Sequence, residues 1–169
     1  MTRQPCSYHG DVENTPWLDD REQRAWRAFL RMQSQVRART ARELTRATGL
    51  SASDYEVLVL LSESPEGRLR AYEIGATIGW EKSRLSHHLT RMEQRGLVQR
   101  RTCSADPRYA DVVLTDAGRT AIVEAAPLHV SHVRSIFFDA LSSDQVDALL
   151  DVSETVLDRL TKLDCAEEA

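Results

Sequence analysis

Cysteine is scarce in this chain: three in 169 residues. Cys6, Cys103 and Cys165 stand far apart with no paired spacing, which argues against both a disulfide framework and a structural zinc site. Long apolar runs are missing as well. None approaches the roughly 18 residues of a membrane span, and the opening MTRQPCSYHG has no signal-peptide core. The expectation is a cytoplasmic chain with no membrane partner. The sequence lacks a phosphate loop, a Ser-His-acid order with supporting glycines, and a close carboxylate pair in a loop. An enzyme is therefore not expected, and no cofactor is called for. An overall excess of positive charge is absent too, the net charge being −4, so bulk charge does not point to nucleic acid.

What is present is an ordinary folding composition, 41% hydrophobic and 28% charged, at a length suited to one globular domain or a small module with helices attached. The charge is unevenly placed. Residues 66–108 carry nine Lys/Arg against five Asp/Glu, whereas residues 109–169 carry four against twelve. A basic island in an acidic chain is the pattern of a local DNA-binding surface on a larger scaffold.

Residues 1–16, with Pro5, Gly10 and Pro16, read as a flexible arm. From Trp17 to about Thr48, Trp26, Phe29, Leu30 and Val36 recur at helical steps, and Gly49 ends the run. Ser51 followed by Asp54 has the form of a helix N-terminus, opening a second helix that Ser64-Pro65-Glu66-Gly67 stops. A short third helix spans roughly Ala71–Ile78, Gly79-Trp80 makes a turn, and a fourth helix runs from Glu81 to Arg95, closed by Gly96. Residues 97–102 and 110–114 read as two strands, joined through Ser104-Ala105-Asp106-Pro107-Arg108 as a β-hairpin. Thr115 is placed to cap a fifth helix that Pro127 should kink or interrupt. Ser142 with Gln145 opens a last helix, along which Leu149, Val156, Leu160 and Leu163 form part of an apolar stripe.

The fold class expected is mainly α with a small β-hairpin wing: a winged helix-turn-helix (51–115) inside a helical frame (17–50 and 116–169). In the fourth helix, Leu85, Leu89 and Met92 share one face. The opposite face holds Ser83, Arg84, His87, Thr90, Arg91 and Gln94, all hydrogen-bond donors and none acidic. A helix that packs one stripe on its own domain and lays the other in a major groove needs this arrangement. A solvated amphipathic face would also produce it, and the neighbouring turn and hairpin, with Arg100 and Arg101 at its base and Arg108 near its tip, tilt the balance toward DNA.

The run Leu85-Ser86-His87-His88-Leu89-Thr90-Arg91-Met92-Glu93-Gln94-Arg95-Gly96-Leu97-Val98, then Asp106-Pro107-Arg108, then Val112-Val113-Leu114-Thr115-Asp116-Ala117-Gly118 resembles the recognition helix, wing and fifth-helix entry of the MarR family. The resemblance spans about residues 20–163. It implies that helices three and four read the major groove, that the wing tip lies along the backbone or minor groove, and that the first, fifth and sixth helices form a homodimer. It further implies a sequence-specific regulator, by default a repressor on a pseudo-palindromic operator, released by a small phenolic or aromatic effector. The long arm, the paired His87-His88 and Pro127 depart from the family pattern.

The residues argue for the dimer independently, because the terminal stripes are too apolar and too remote to be buried by a small winged helix. Trp26, Tyr55 and the His129/His132 face could line an effector cleft, although no ligand residue is assigned. His129 and His132 could share a metal, and Cys103, near Arg101, could sense oxidants. An oxidant- or metal-responsive regulator of the same fold, or a winged-helix protein-interaction module, is the alternative. Asp106 is unsuited to touch phosphate, and its expected role is to pair with an arginine and order the wing for Arg108.

Overall fold

The computed structural model describes residues 16–103 and 106–167, with the side chains of 102–110, 164 and 167 outside that description. The chain divides into two compact units, Met1–Gln35 and Val36–Ala169.

The first helix, α1 (Asp20–Thr48), runs from one unit into the next. It starts three residues later than the apolar pattern suggests because Asp19 caps it. Glu22 N donates to Asp19 Oδ1 and Asp19 N to Glu22 Oε2, each at 2.8 Å. Two orphan donors of the first turn are thereby satisfied. Within the first unit, Trp26 and Phe29 stack with ring centroids 5.7 Å apart, yet both remain exposed.

The second unit holds the core. α2 (Ala52–Glu63) begins with the reciprocal Ser51–Asp54 capping box read from the sequence. Val57, Leu58 and Leu61 of α2 are completely buried, each such side chain worth roughly 1.5–3 kcal/mol of transfer free energy. They pack with Leu44 of α1, Ile74 of α3 (Ala71–Ile78), and Leu85, Leu89 and Met92 of α4 (Lys82–Gln94). Gly79 ends α3 at φ 65°, a left-handed conformation that costs glycine little and frees Trp80 to start the turn into α4.

The sheet has three antiparallel strands rather than the two of a simple hairpin. β1 (Arg68–Arg70), β2 (Val98–Cys103) and β3 (Asp106–Leu114) lie in the order β1-β3-β2. β1 is only Arg-Leu-Arg, too short to show an alternating pattern. Its pairing with Asp111, Val112 and Val113 is what makes it a strand. β3 also begins earlier than expected, taking in positions 106–108 and pairing Cys103 with Asp106 across a register shift. The residues left to turn the hairpin, 104 and 105, lie outside the described residues, as do the arm of residues 1–15 and its Cys6.

α5 (Asp116–Ile136) is capped by Thr115, whose Oγ1 accepts from Gly118 N at 3.0 Å. Glycine is required at 118. A Cβ there would meet the Leu97 carbonyl oxygen at 2.0 Å, so the first turn of α5 rests directly on the hairpin base. Pro127 lies inside α5, which continues through it, so of the expected kink or interruption the interruption does not occur. Proline leaves the carbonyl four residues back without a donor, and both Pro127 and Val123 lie on an exposed face open to water. A single 3-10 turn (Phe138–Ala140) leads to α6 (Ser143–Glu167), opened by the expected Ser142–Gln145 exchange. None of the described residues of α6 is buried.

Candidate nucleic-acid interface

α4 buries Leu85, His88, Leu89 and Met92. Ser83, Arg84, His87, Arg91 and Gln94 are exposed, and Thr90 is half-buried. The two-faced pattern of the sequence is therefore realised in space, with one addition. His88, next to exposed His87, turns inward and is 5% exposed.

The surroundings of His88 tie several elements together. Its Nε2 lies 3.2 Å from Asp54 Oδ1, close enough for strong electrostatic attraction but off the line of a well-formed hydrogen bond. The other Asp54 oxygen takes Arg95 at 2.6 Å and Ser51 N at 2.9 Å, while Arg95 also donates to Gly49 O. Burial alone would raise the Asp54 carboxyl. The contacts from His88, Ser51 and Arg95 outweigh burial and hold it well below the usual carboxylate range.

On its other edge, His88 Nδ1 faces a terminal nitrogen of Arg91 at 3.3 Å. The Trp80 ring meets the imidazole edge-on, centroids 5.2 Å apart. Arg84 lies over the face of that same indole, 4.2 Å from its centroid, a cation–π stack. The two arginines expected to read bases are thus each held by a named neighbour.

Of the two arginines at the hairpin base, only Arg101 is expected on DNA from the sequence. Arg100 and Arg101 are adjacent and both basic, but they do different things. Arg100 turns back to α4: its backbone N and Nε donate to the Glu93 carboxylate and a terminal nitrogen donates to Thr90 Oγ1 at 2.6 Å. The bond from the Arg100 backbone, against a small effect of burial and aided by the guanidinium, lowers the Glu93 carboxyl. Thr90 in turn donates to Ser86 O, so its hydroxyl is engaged within the protein. Arg101 points to solvent. Alternation along β2 is the physical reason the two point to opposite sides. Asp106 and Arg108 sit on β3, but their side chains lie outside the described residues, as does that of Cys103.

A second feature lies away from α4. Thr40, Glu43, Leu44, Leu128, His129 and His132 line part of a cavity of about 250 Å³ between α1 and α5. Thr40 Oγ1, His129 Nδ1 and His132 Nε2 are buried there with no hydrogen-bond partner among the described residues. Burial, assisted by the charge of His132, lowers the His129 imidazole. Tyr55 stacks on His129 with centroids 4.4 Å apart. Trp26 belongs to the first unit and is not among the residues lining the cavity. Among the described residues, no group of three or more His, Cys, Asp or Glu side chains is arranged to hold a metal ion, and no helix is long and apolar enough to cross a membrane.

Comparison with known proteins agrees with this architecture. A family profile described as MarR matches residues 50–109. The structure is similar to that of AbsC, a MarR family transcriptional regulator from Streptomyces coelicolor, with a TM-score of 0.81 and 36% identity over 88% of this chain and 99% of that one. It is similar also to Sco3205, a MarR family regulator from the same organism solved in complex with DNA, with a TM-score of 0.80 and 35% identity over 85% and 94% of the two chains. The transcriptional repressor MprA of Escherichia coli (strain K12) is 22% identical over 138 residues, 82% of this chain and 77% of that protein. With a winged helix framed by long helices and more than a third of its residues shared with AbsC over nearly the whole of that regulator, the chain belongs to the MarR family of transcriptional regulators.

Proposed function

We propose that this chain is a sequence-specific double-stranded DNA-binding repressor acting as a homodimer on a pseudo-palindromic operator. The observation that carries the reading is the exposed face of α4. Ser83, Arg84, His87 and Arg91 stand together on it without an acidic residue, while the opposite stripe is locked into the core. Arginine on such a face can bond a guanine edge with two donors, and Ser and His serve bases or phosphates. A protein-docking winged helix would be expected to present a mixed or apolar face there. The DNA-bound relative Sco3205 and the repressor MprA support the DNA and repressor parts of the reading.

The dimer rests on unburied apolar surface in each unit. Trp26, Phe29 and Leu30 are exposed in the first, and Val152, Val156, Leu157, Leu160 and Leu163 in the second. Two copies covering these faces would place two recognition helices about one DNA turn apart.

Release by a small effector is supported by the α1–α5 cavity. Three buried polar atoms there have no protein partner among the described residues, donors and acceptors that a ligand hydroxyl could engage. No lysine or arginine lines the cavity, so the hydroxyl of a phenol or aromatic alcohol suits it better than a carboxylate.

Selection of bound duplexes from a random pool tests the reading, repeated with a panel of phenols. An enriched inverted repeat, with affinity lowered by one of the phenols, is expected. A bound pool no richer in any sequence than its input would reject sequence-specific recognition.

A further inference from the structure

We propose that His88, which faces away from DNA, is a positioning residue that sets the base preference of Arg91 and Arg84 through a fixed imidazole tautomer. The inference rests on the DNA-reading role of α4 and adds to it the residue on which the two reading arginines depend.

The tautomer follows from the neighbours. Arg91 offers only donors, so the His88 Nδ1 facing it at 3.3 Å must be the bare, accepting nitrogen. The ring proton then belongs on Nε2, the atom facing the Asp54 carboxylate at 3.2 Å. Asp54 in turn is fixed by the N-terminus of α2 and by Arg95. A buried carboxylate thus chooses the imidazole tautomer, and the tautomer presents an acceptor to Arg91. The same ring presses edge-on against Trp80, whose face carries Arg84. One buried ring therefore touches Arg91 directly and Arg84 through Trp80. Long arginine side chains lose considerable rotamer freedom when they engage a base. Holding them in place beforehand reduces that loss for the base pair they fit and gives no such help at a mismatched one, so the effect appears in preference more than in general affinity.

The test uses His88→Gln, which can keep an N–H donor toward Asp54 but removes the acceptor facing Arg91. The full-length protein is titrated with its selected operator and with a random duplex of the same length. Expected are an unchanged oligomeric state, random-duplex affinity within about twofold of wild type, and an operator-to-random ratio lower by about tenfold, the scale of one lost base contact. An unchanged ratio in folded His88→Gln, or equal losses on both duplexes, would overturn the proposal. A wild-type ratio near one would overturn the DNA reading itself, a distinct failure.

Should His88→Gln not fold, a second variant, His88→Asn, can set an amide oxygen where the Nδ1 acceptor faces Arg91. Its operator-to-random ratio is expected within about twofold of wild type, since the acceptor is kept. A folded His88→Asn with the ratio lowered by about tenfold would overturn the proposal.

Discussion

Arg84, Arg91 and Arg101 carry the same charge on different supports. Arg84 is stacked on Trp80 and Arg91 set against His88, whereas Arg101 leaves β2 toward solvent with only a 3.4 Å contact to Gln99 Oε1. Alanine at 84 or 91 should relax base preference at one half-site position, costing about 1–3 kcal/mol on the operator. Arg101→Ala should weaken all sequences alike and reduce the salt slope by about one unit. Filter binding at several salt concentrations on operator and random DNA separates the two behaviours. Asp54 supports a different prediction, about stability. Its carboxyl binds a proton less readily folded than unfolded, so its contribution is fully present above the ordinary carboxylate value near 3.9 and is lost as pH falls below it. Asp54→Asn should cost about 3 kcal/mol at neutral pH, the low end for breaking a buried pair because Arg95 is half exposed. Urea unfolding should then show the gap between variant and wild type narrowing below about pH 4.

At the scale of elements, α5 retains a proline in mid-helix. Pro127→Ala would restore the donor to the Val123 carbonyl. It should raise stability by about 2 kcal/mol, the helix-interior penalty of proline less the entropy it removes from the unfolded chain. Differential calorimetry would read this as a higher midpoint, and a lower one would mean that the proline serves the helix. Pro127 also marks where sequence reasoning stopped short, since whether a helix passes through a proline depends on the solvent available to the freed carbonyl. Elements written in local chemistry were legible: the Ser51–Asp54 and Ser142–Gln145 boxes, the Gly79 stop and the Thr115 cap all depend on residues within a few positions. β1 was not, because three residues carry no period and only pairing with β3 makes them a strand. The site divided in the same way. The outward face of α4 followed from its period, but the link from Asp54 to Arg95 spans 41 positions, a pairing that folding alone reveals. The bonds of Arg100 to Glu93 and Thr90 likewise join β2 to α4 and were not foreseen.

For the whole molecule, the expected dimer depends on α6 finding a partner for Val156, Leu160 and Leu163, which are exposed in the single chain. Leu160→Glu should shift the protein from dimer toward monomer at micromolar concentration in light scattering. Operator affinity should fall far more than affinity for a single half-site, because only the full site uses both subunits. A wild-type protein that scattered as a monomer would rule out the two-helix reading of the operator.

The joint between α5 and the hairpin base has the geometry of a fulcrum. Thr115 and Gly118 are seated on the carbonyls of Gly96 and Leu97, with Thr115 Oγ1 donating to Gly96 O at 2.6 Å and no room for a Cβ at 118. His129, on the cavity wall, lies eleven residues along α5 from Gly118, about 16 Å at the helical rise. The end of β2 lies about 20 Å from Leu97 on the other side of that seat. The two arms are nearly equal, so the lever ratio is close to one. A ligand that wedges α5 outward by about 1 Å at His129 tilts it by about 4°, and the hairpin end is displaced by slightly more than the wedge itself. A movement of that size exceeds the tolerance of a hydrogen bond to phosphate, so under the proposed effector and DNA roles a modest expansion of the cavity would be enough to lift the hairpin from a DNA backbone.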